Sequence, residues 1–292
     1  SFRRTCSMGI CSSTSWDRCA PPWRRVFGRS GWARSDPAKP SKKGELRLVY
    51  HGGLPILAPA SEAVLGGMPG YVGLVKREHL QFAELNLHIE TWPDYRIGAV
   101  HWPSGRLLAK ALAEKALPEV IPSVEQCAVL ELGAGPGLPG LVAARLGATA
   151  VVLTDYTELI PLAAKNIELN ALEHCCAAQE LDWFDAEQSD LSVQAREKAG
   201  LPPLDIILAA DVVYVEEQEP LISALLALMR PGHTKLVLAY KNRTLPDREY
   251  LKNRILPQLC GLRTGTFGTA EDGETELYVG HLSADRSAWQ RS

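Results

Sequence analysis

A glycine-rich turn with the sequence VLELGAGPGLPG, at Val129–Gly140, is the part of the chain best suited to hold a ligand. Glycines let the backbone approach a bound molecule closely, and a turn of this kind between a strand and a helix often cradles a phosphate. The segment from Gly135 to Gly140 satisfies the dinucleotide spacing G-x-G-x-x-G. The apolar strand ends at Leu132, however, so the turn begins at Gly133 and reads G-x-G-x-G. The dinucleotide spacing alone therefore does not identify the ligand.

The residues among the glycines favour a cation over a phosphate. Pro136 and Pro139 have no backbone N–H to donate to a phosphate at the helix entry. Glu131 places a carboxylate two residues ahead of the turn, where it repels a phosphate and attracts an ammonium group. S-Adenosylmethionine has an adenosine, a positively charged sulfonium and an amino-acid end, and it has no phosphate. We therefore predict S-adenosylmethionine as the cofactor, with Glu131 in its site.

Asp155 is the candidate ligand of the ribose. It lies about twenty residues beyond the turn, at the end of the second apolar strand. In βαβ units a carboxylate at this place accepts hydrogen bonds from ribose hydroxyls. The alternative is that Asp155 caps the following helix, a role that Thr154 or Thr157 could also take.

Two tryptophans are candidates for the wall of the adenine pocket. Trp183 follows the third strand, where an indole can stack on adenine or pack in the core. Asp182 beside it can accept a hydrogen bond from the adenine amino group. Trp102, in the stretch VHWPSG, has the same two interpretations, and Ser104 there is a candidate helix cap.

Alternating strands and helices position these residues. The hydrophobic pattern predicts a hairpin-like entry over 82–89, five strands at 128–132, 150–155, 177–183, 205–210 and 235–240, and two closing extended segments at 262–267 and 276–281. Helices are predicted from the WPSG turn to Leu117 and over 138–146, 157–172, 216–229 and 246–259, with a mostly polar loop and short helix over 185–203. This alternation is typical of an α/β fold with a parallel sheet. Ligands bind beyond the carboxyl ends of such strands, where Gly133, Asp155, Trp183 and Asp211 are all expected.

Composition narrows the class of protein. The chain has 292 residues, of which 46% are hydrophobic, and it contains no uninterrupted apolar run of 18 residues. A membrane span is therefore not expected. The seven cysteines form no C-x-x-C pair, which favours a reduced, intracellular protein, and we predict a cytoplasmic location.

Charge is distributed unevenly along the chain. Residues 1–43 carry ten Arg or Lys and two Asp, so the net charge of −3 leaves −11 for the rest. An acidic body does not suit a phosphate backbone, and we expect no nucleic-acid partner. Residues 1–45 are rich in Ser, Arg, Pro and Gly, and we interpret them as a disordered basic tail. A transit peptide for organelle import and a translated fragment without an initial Met are the alternatives.

Four motifs resemble those of the seven-strand protein-lysine methyltransferases that carry a D-x-x-Y motif. They are VLELGAGPGLPG, TDY at 154–156, LDW at 181–183 and ILAADVVYVEE at 207–217. The resemblance covers residues 80–282 and is nearest to the branch that modifies translation elongation factors and chaperones. It implies a methyltransferase domain over 46–292 with an N-terminal extension and a core at about 80–282.

The resemblance also implies a fold and a set of cofactor residues. The fold is Rossmann-like, with seven strands in the order 3-2-1-4-5-7-6, a mostly parallel sheet whose last strand is antiparallel, and helices on both faces. The VHWPSG entry departs from many relatives, which have a bulkier pair after the Trp. The residues that would line the cofactor pocket are Trp102, Gly133, Ala134, Gly135, Asp155, Trp183 and Ala210.

The same resemblance indicates the chemistry of the acceptor. A lysine must arrive uncharged, although its free pKa is about 10.4, and a desolvated channel favours the neutral amine. Asp211 and Tyr214, just past the fourth strand, are the catalytic candidates. We assign Asp211 to orienting the amine or supporting the loop, and Tyr214 to the wall of the lysine channel or to packing under the next helix.

Three other functions are compatible with parts of the pattern. Enzymes that methylate a nucleobase amino group usually carry two prolines where this chain has Val212-Val213, and a small-molecule methyltransferase is the related alternative. A non-catalytic binding partner would keep the pocket for stability. A nicotinamide-dependent oxidoreductase would bind that cofactor instead. We expect a monomeric enzyme with a protein substrate.

Overall fold

The computed structural model describes residues 46–51, 54–59, 73–213, 219–242, 244–269 and 273–283. The tail predicted over 1–45 lies outside these ranges. Two antiparallel hairpins precede the main sheet: β1 (Leu46–His51) with β2 (Leu54–Pro59), and β3 (Lys76–Phe82) with β4 (Leu85–Thr91). The second hairpin corresponds to the predicted entry, and the first was not predicted.

Seven strands form the main sheet. They are β5 (Ala128–Leu132), β6 (Ala150–Asp155), β7 (Cys176–Glu180), β8 (Ile206–Ala210), β9 (Lys235–Tyr240), β10 (Leu259–Thr269) and β11 (Gly273–Leu282). Their order is β10-β11-β9-β8-β5-β6-β7. Strands β5 to β9 pair in parallel, whereas β11 is antiparallel to both β9 and β10. Counted from β5 the order is 3-2-1-4-5-7-6, as the family resemblance implied.

Helices connect the strands and bury both faces of the sheet. They are α1 (Pro103–Ala113), α2 (Leu138–Arg145), α3 (Ile160–Leu169), α4 (Val193–Lys198), α5 (Glu219–Leu228) and α6 (Leu245–Tyr250). Residues of α1, α2 and α3 share one core with one face of the sheet. Leu130, Val152 and Ile207 alternate with those core residues, and they are buried on the opposite face. None of the helices in the described ranges is both long and apolar enough to cross a membrane.

Three predicted elements were too long. The third strand ends at Glu180, and Trp183 lies in a 3-10 turn at Trp183–Asp185, because the Asp182 side chain accepts a hydrogen bond from the Phe184 N–H at 3.0 Å. Helix α3 begins only at Ile160. Its first turn contains a proline, which is favourable there because a backbone N–H at this position would have no partner within the helix. Helix α1 ends before Leu117, which has a positive φ of 51°.

The predicted helix over 246–259 is three shorter pieces. Helix α6 is followed by a π-helical segment at Leu251–Ile255 and a 3-10 turn at Leu256–Gln258, after which β10 begins. Pro257 in that turn has no N–H for a continuing α-helix. The helical path of the chain was predicted, but its break into three geometries was not.

Asn166 of α3 joins the β3–β4 hairpin to the glycine turn. Its Oδ1 accepts a hydrogen bond from the Glu90 N–H at 2.7 Å, and its Nδ2 donates to the carbonyls of Glu90 and Pro136, both at 2.9 Å. The side chain is fully buried, so water cannot replace these partners. This amide therefore connects an element outside the main sheet to the turn that begins α2.

We predict that Asn166→Ala destabilises the protein by about 2–4 kcal/mol, because it leaves a buried backbone N–H and two carbonyls without partners. Chemical denaturation would measure the free energy of unfolding. Asn253→Ala, at an exposed position, is the control and should change it by less than about 0.5 kcal/mol. Equal effects of the two substitutions would contradict the bridging role of Asn166.

Candidate active site

A cleft lies at the carboxyl ends of β5, β6 and β8, where a parallel sheet binds its ligands. Its volume is about 1150 Å³ including the open mouth. The cleft brings together the strand-end residues that the sequence predicted. Its lining includes Trp102, Glu131, Gly133, Ala134, Gly135, Asp155, Trp183, Ala210 and Asp211. Tyr214, the second catalytic candidate, lies outside the described residues and stays a prediction.

The glycine turn uses most of its N–H groups internally. The N–H of Ala134 donates to the Thr154 carbonyl at 2.9 Å, and that of Gly137 donates to the Ala134 carbonyl at 2.8 Å. Two carboxylates accept two more, because Gly135 donates to Asp155 at 2.7 Å and Gly140 to Glu131 at 2.8 Å. A phosphate cradle needs such donors directed at the ligand. This turn is therefore a surface for close approach and not an anion site.

Close approach of two backbones explains the glycine at position 135. Gly135 has a φ of +52°, and a Cβ atom there would lie 2.4 Å from the carbonyl oxygen of Gly98. Gly98 is less confined, since its own Cβ would lie 2.6 Å from a methyl group of Leu159, which is the end of a flexible side chain. The segment before α1 thus seats directly on the turn and forms one wall of the cleft.

Asp155 is placed at the cleft by two backbone hydrogen bonds. One carboxylate oxygen accepts from Gly135, and the other accepts from the Tyr156 N–H at 2.8 Å. Burial raises the pKa of Asp155, and these two N–H groups partly offset that effect. The predicted alternative, a helix cap, is wrong, because α3 begins after Leu159. Thr154 does not cap either, since its hydroxyl donates to the Glu131 carbonyl at 2.7 Å.

Glu131 lies behind the turn, with only 3% of its surface exposed. Burial raises its pKa to about 8, although the Gly140 N–H favours the ionised form and lowers it; the nearby Asp155 charge raises it further. Burial therefore favours the protonated form of this carboxyl in the ligand-free protein. Glu131 lines the cleft, and its contact with a ligand stays a prediction.

The two tryptophans stand at different parts of the cleft. Trp102 is the N-cap residue of α1, and its indole N–H donates to the Ile97 carbonyl at 2.9 Å, which fixes the loop before the helix. The Trp183 ring passes close to Gly133, where an added Cβ would lie 3.5 Å from the ring. One carboxylate oxygen of Asp182 accepts a hydrogen bond from the Phe184 N–H, and its contact with the adenine amino group stays a prediction.

Asp211 lines the cleft, and its backbone lies in the left-handed region. Its φ is +58°, which is uncommon for any residue other than glycine. The Asp211 carboxylate accepts a hydrogen bond from the Ser104 N–H at 3.2 Å, in the first turn of α1. The predicted capping role of Ser104 is wrong, since its own hydroxyl is buried without a hydrogen-bond partner. Strain at a cleft residue held by its surroundings is typical of functional sites.

His101, which the sequence motifs do not include, also lines the cleft. Burial lowers the pKa of His101, and the nearby carboxylate of Glu78, 3.7 Å from Nε2, partly opposes this. The spacing of the seven histidines did not indicate its place in the cleft. Ile97 and Gly98, in the same loop, also line the cleft and were not predicted. Tyr156 could have been found, since it follows Asp155 directly in the TDY motif.

The charges of the cleft fit a cationic nucleoside. Three carboxyl groups line it, those of Glu131, Asp155 and Asp211. The guanidinium that reaches it, that of Arg96, is paired with Glu158 at 2.8 Å. Such a lining attracts a sulfonium or an ammonium and repels a phosphate. Elsewhere too, the described residues include no group of three or more His, Cys, Asp or Glu side chains that could hold a metal ion.

Comparison with known proteins agrees with this class of site. Residues 81–255 match the family described as lysine methyltransferase. The protein-lysine N-methyltransferase EFM6 of Saccharomyces cerevisiae is 33% identical over 211 residues, which is 65% of this chain and 85% of the relative. The mouse protein N-lysine methyltransferase METTL21A is 29% identical over 58% of this chain and 73% of its own length. The human histone-arginine methyltransferase METTL23 is 34% identical over 44% of this chain and 62% of its own length.

The fold and the cleft define a methyltransferase that uses S-adenosylmethionine. Within that class, this chain belongs to the lysine methyltransferase family. Both the predicted fold and the predicted cofactor are thereby confirmed.

We predict that Gly135→Ala destabilises the protein by about 2–4 kcal/mol and weakens cofactor binding more than tenfold, because the new methyl group collides with the Gly98 carbonyl. Gly200→Ala is the matched control, since Gly200 also has a positive φ, of +69°, but no atom within 4 Å of an added Cβ. The control should lose only about 1 kcal/mol and keep its affinity. Denaturation and calorimetric titration would measure both quantities, and indistinguishable variants would refute the contact.

Proposed function

We propose that this protein transfers the methyl group of S-adenosylmethionine to the side-chain amine of a lysine in an elongation factor or a chaperone, with the cleft residues in the roles given below. The observation that carries the site is the convergence of Glu131, Asp155 and Asp211 on one cleft from three different strands. The motif resemblance supports the substrate class. The acidic chain and the Val212-Val213 insert favour a protein over a nucleic acid. We further propose that the enzyme is monomeric and cytoplasmic.

The cleft residues divide into a cofactor side and an acceptor side. On the cofactor side, Asp155 accepts hydrogen bonds from the ribose hydroxyls with lone pairs that its backbone donors leave free. Trp183 bounds the adenine region, and Glu131 provides the negative charge toward the cationic end. When bound there, the cofactor supplies an electrophilic methyl group. Positioning is the main demand on the protein, since the transfer is an in-line displacement.

On the acceptor side, Asp211 receives the amine. A lysine with a pKa of about 10.4 must first lose its proton to water and enter in neutral form. Burial of Asp211, which is 7% exposed, disfavours water around the entering amine. The Asp211 carboxylate accepts one N–H of the amine and so directs its lone pair into the cleft. The hydrogen bond from Ser104 keeps the carboxylate in place for this role.

The test is methylation of protein from cells that lack this enzyme. Purified protein and S-adenosylmethionine are added to the extract, and mass spectrometry compares methylated peptides with and without the addition. We expect new methyl-lysine on one elongation factor or chaperone. Methyl-arginine without methyl-lysine would overturn the lysine assignment, and a methylated nucleic acid or small molecule would overturn the protein substrate.

We predict that Asp211→Asn lowers the single-turnover rate of transfer by about 10- to 100-fold, because the amide accepts an N–H less strongly than a carboxylate. Cofactor affinity should stay within about threefold and the unfolding temperature should hardly change, since asparagine also tolerates positive φ. Asp190→Asn, at an exposed position, should leave all three quantities unchanged. A parallel loss of rate, affinity and stability in Asp211→Asn would instead indicate a purely structural residue.

A further inference from the structure

Glu131 is a cleft carboxyl without a positive partner. It accepts one hydrogen bond, from the Gly140 N–H at 2.8 Å, and no Lys, Arg or His of the described residues forms an ion pair with it. Asp155 differs, since N–H groups engage both of its carboxylate oxygens. Two neighbouring carboxyls in a buried site do not ionise equally, and the one with fewer donors keeps its proton. That carboxyl is Glu131.

The other titratable groups around Glu131 do not neutralise its charge. Cys176 on β7 stays neutral, because its hydrogen bond with Cys175 and its burial raise the pKa of its thiol, and the nearby Glu131 raises it further. The remaining groups face it across the cleft from other elements: Asp155, Tyr156, Asp211, His101 and the Arg96–Glu158 pair. Their summed charge is negative while His101 is neutral. Among the described residues, none therefore supplies the positive charge that would stabilise an ionised Glu131, and we infer that a ligand supplies it.

We propose that Glu131 distinguishes the sulfonium cofactor from its thioether product by releasing a proton when the cofactor binds and regaining one after the positive charge has gone. The cofactor carries one positive charge more than the product, which keeps only the ammonium of its amino-acid end, so the cofactor favours the ionised carboxyl more strongly. An ionised Glu131 then attracts the cofactor more strongly than it attracts the product. The inference rests on the cofactor of the proposed function and not on its acceptor.

The first measurement determines how many protons the protein releases when a ligand binds. Isothermal titration of the full chain with S-adenosylmethionine at pH 7, in buffers of different ionisation enthalpy, gives the number of protons released on binding. We expect between about one half and one proton for the cofactor, since a carboxyl with a pKa of about 8 is mostly protonated at pH 7, and less than half of that value for S-adenosylhomocysteine. Equal proton release for both ligands would overturn the proposal.

Two variants assign the proton to its residue. Glu131→Gln keeps an oxygen that accepts the Gly140 N–H but cannot release a proton. The titration of this variant should show no net proton release. Any proton that is taken up goes to the α-amino group of the cofactor, since groups of this kind have a pKa of about 7.7–8.0. At pH 8 the ratio of cofactor affinity to product affinity should fall about tenfold or more. Glu114→Gln, at an exposed position after α1, should behave as the wild type.

A second measurement needs no ligand. The folded-state pKa of Glu131 is raised above its unfolded value, so its contribution to stability is fully present at pH 4 and is lost as the pH rises to about 8. As the pH rises from 5 to 8, the denaturant concentration at the midpoint of unfolding should therefore decrease for the wild type relative to Glu131→Gln. Above pH 8 the difference between the two proteins should become constant. A difference independent of pH would show that Glu131 is ionised throughout and would refute the proposal.

The outcomes separate this inference from the proposed function. Proton release by Glu131 without methylation of any lysine would support this inference and would contradict only the proposed function. Methyl-lysine formation with no Glu131-dependent proton release would do the reverse. A folded wild type that does not bind the cofactor would overturn both.

Discussion

Two carboxylates hold the glycine turn, and the cleft depends on them. Glu131 accepts the N–H of Gly140 at the start of α2, and Asp155 accepts the N–H of Gly135 within the turn. The backbone donors that a phosphate would need are thus committed to the protein itself, and two acidic side chains adjoin the turn. The same interactions that stabilise the loop make it unsuited to a phosphate and suited to a cation, because both effects come from the same two side chains.

Asp211 represents the proposed acceptor side of the cleft, and the glycine turn represents the proposed cofactor side. Asp211 combines a φ of +58°, a buried carboxylate and a hydrogen bond from the first turn of α1. Helix α1 therefore links the two sides, since its N-cap residue Trp102 lines the cleft and its Ser104 N–H holds Asp211. Small displacements of this helix would change the direction of the Asp211 carboxylate, which is the property that in-line transfer demands most.

Much of the fold follows from local patterns, and less of the cleft does. The strands at β5, β6, β8 and β9 were predicted closely because each is a short apolar run followed by a polar or glycine residue. The ends of the elements were harder, as Trp183 and Leu117 demonstrate, because side-chain caps and positive φ angles decide them. Gly98 and His101 could not be predicted at all, since their role arises from contact between segments far apart in the chain.

The contact between Gly98 and Gly135 indicates which residues must accompany the main sheet for the cleft to form. The loop before α1 is one wall of the cofactor cleft, and the amide of Asn166 ties the preceding β4 to the turn below it. A shorter chain that started at α1 would retain every strand of the large sheet and still lose a wall of the cleft. In agreement with this, the family match starts at residue 81, inside β3, well before the first strand of that sheet. The small hairpin is thus part of the unit that forms the cleft, although it contributes no residue to the main sheet.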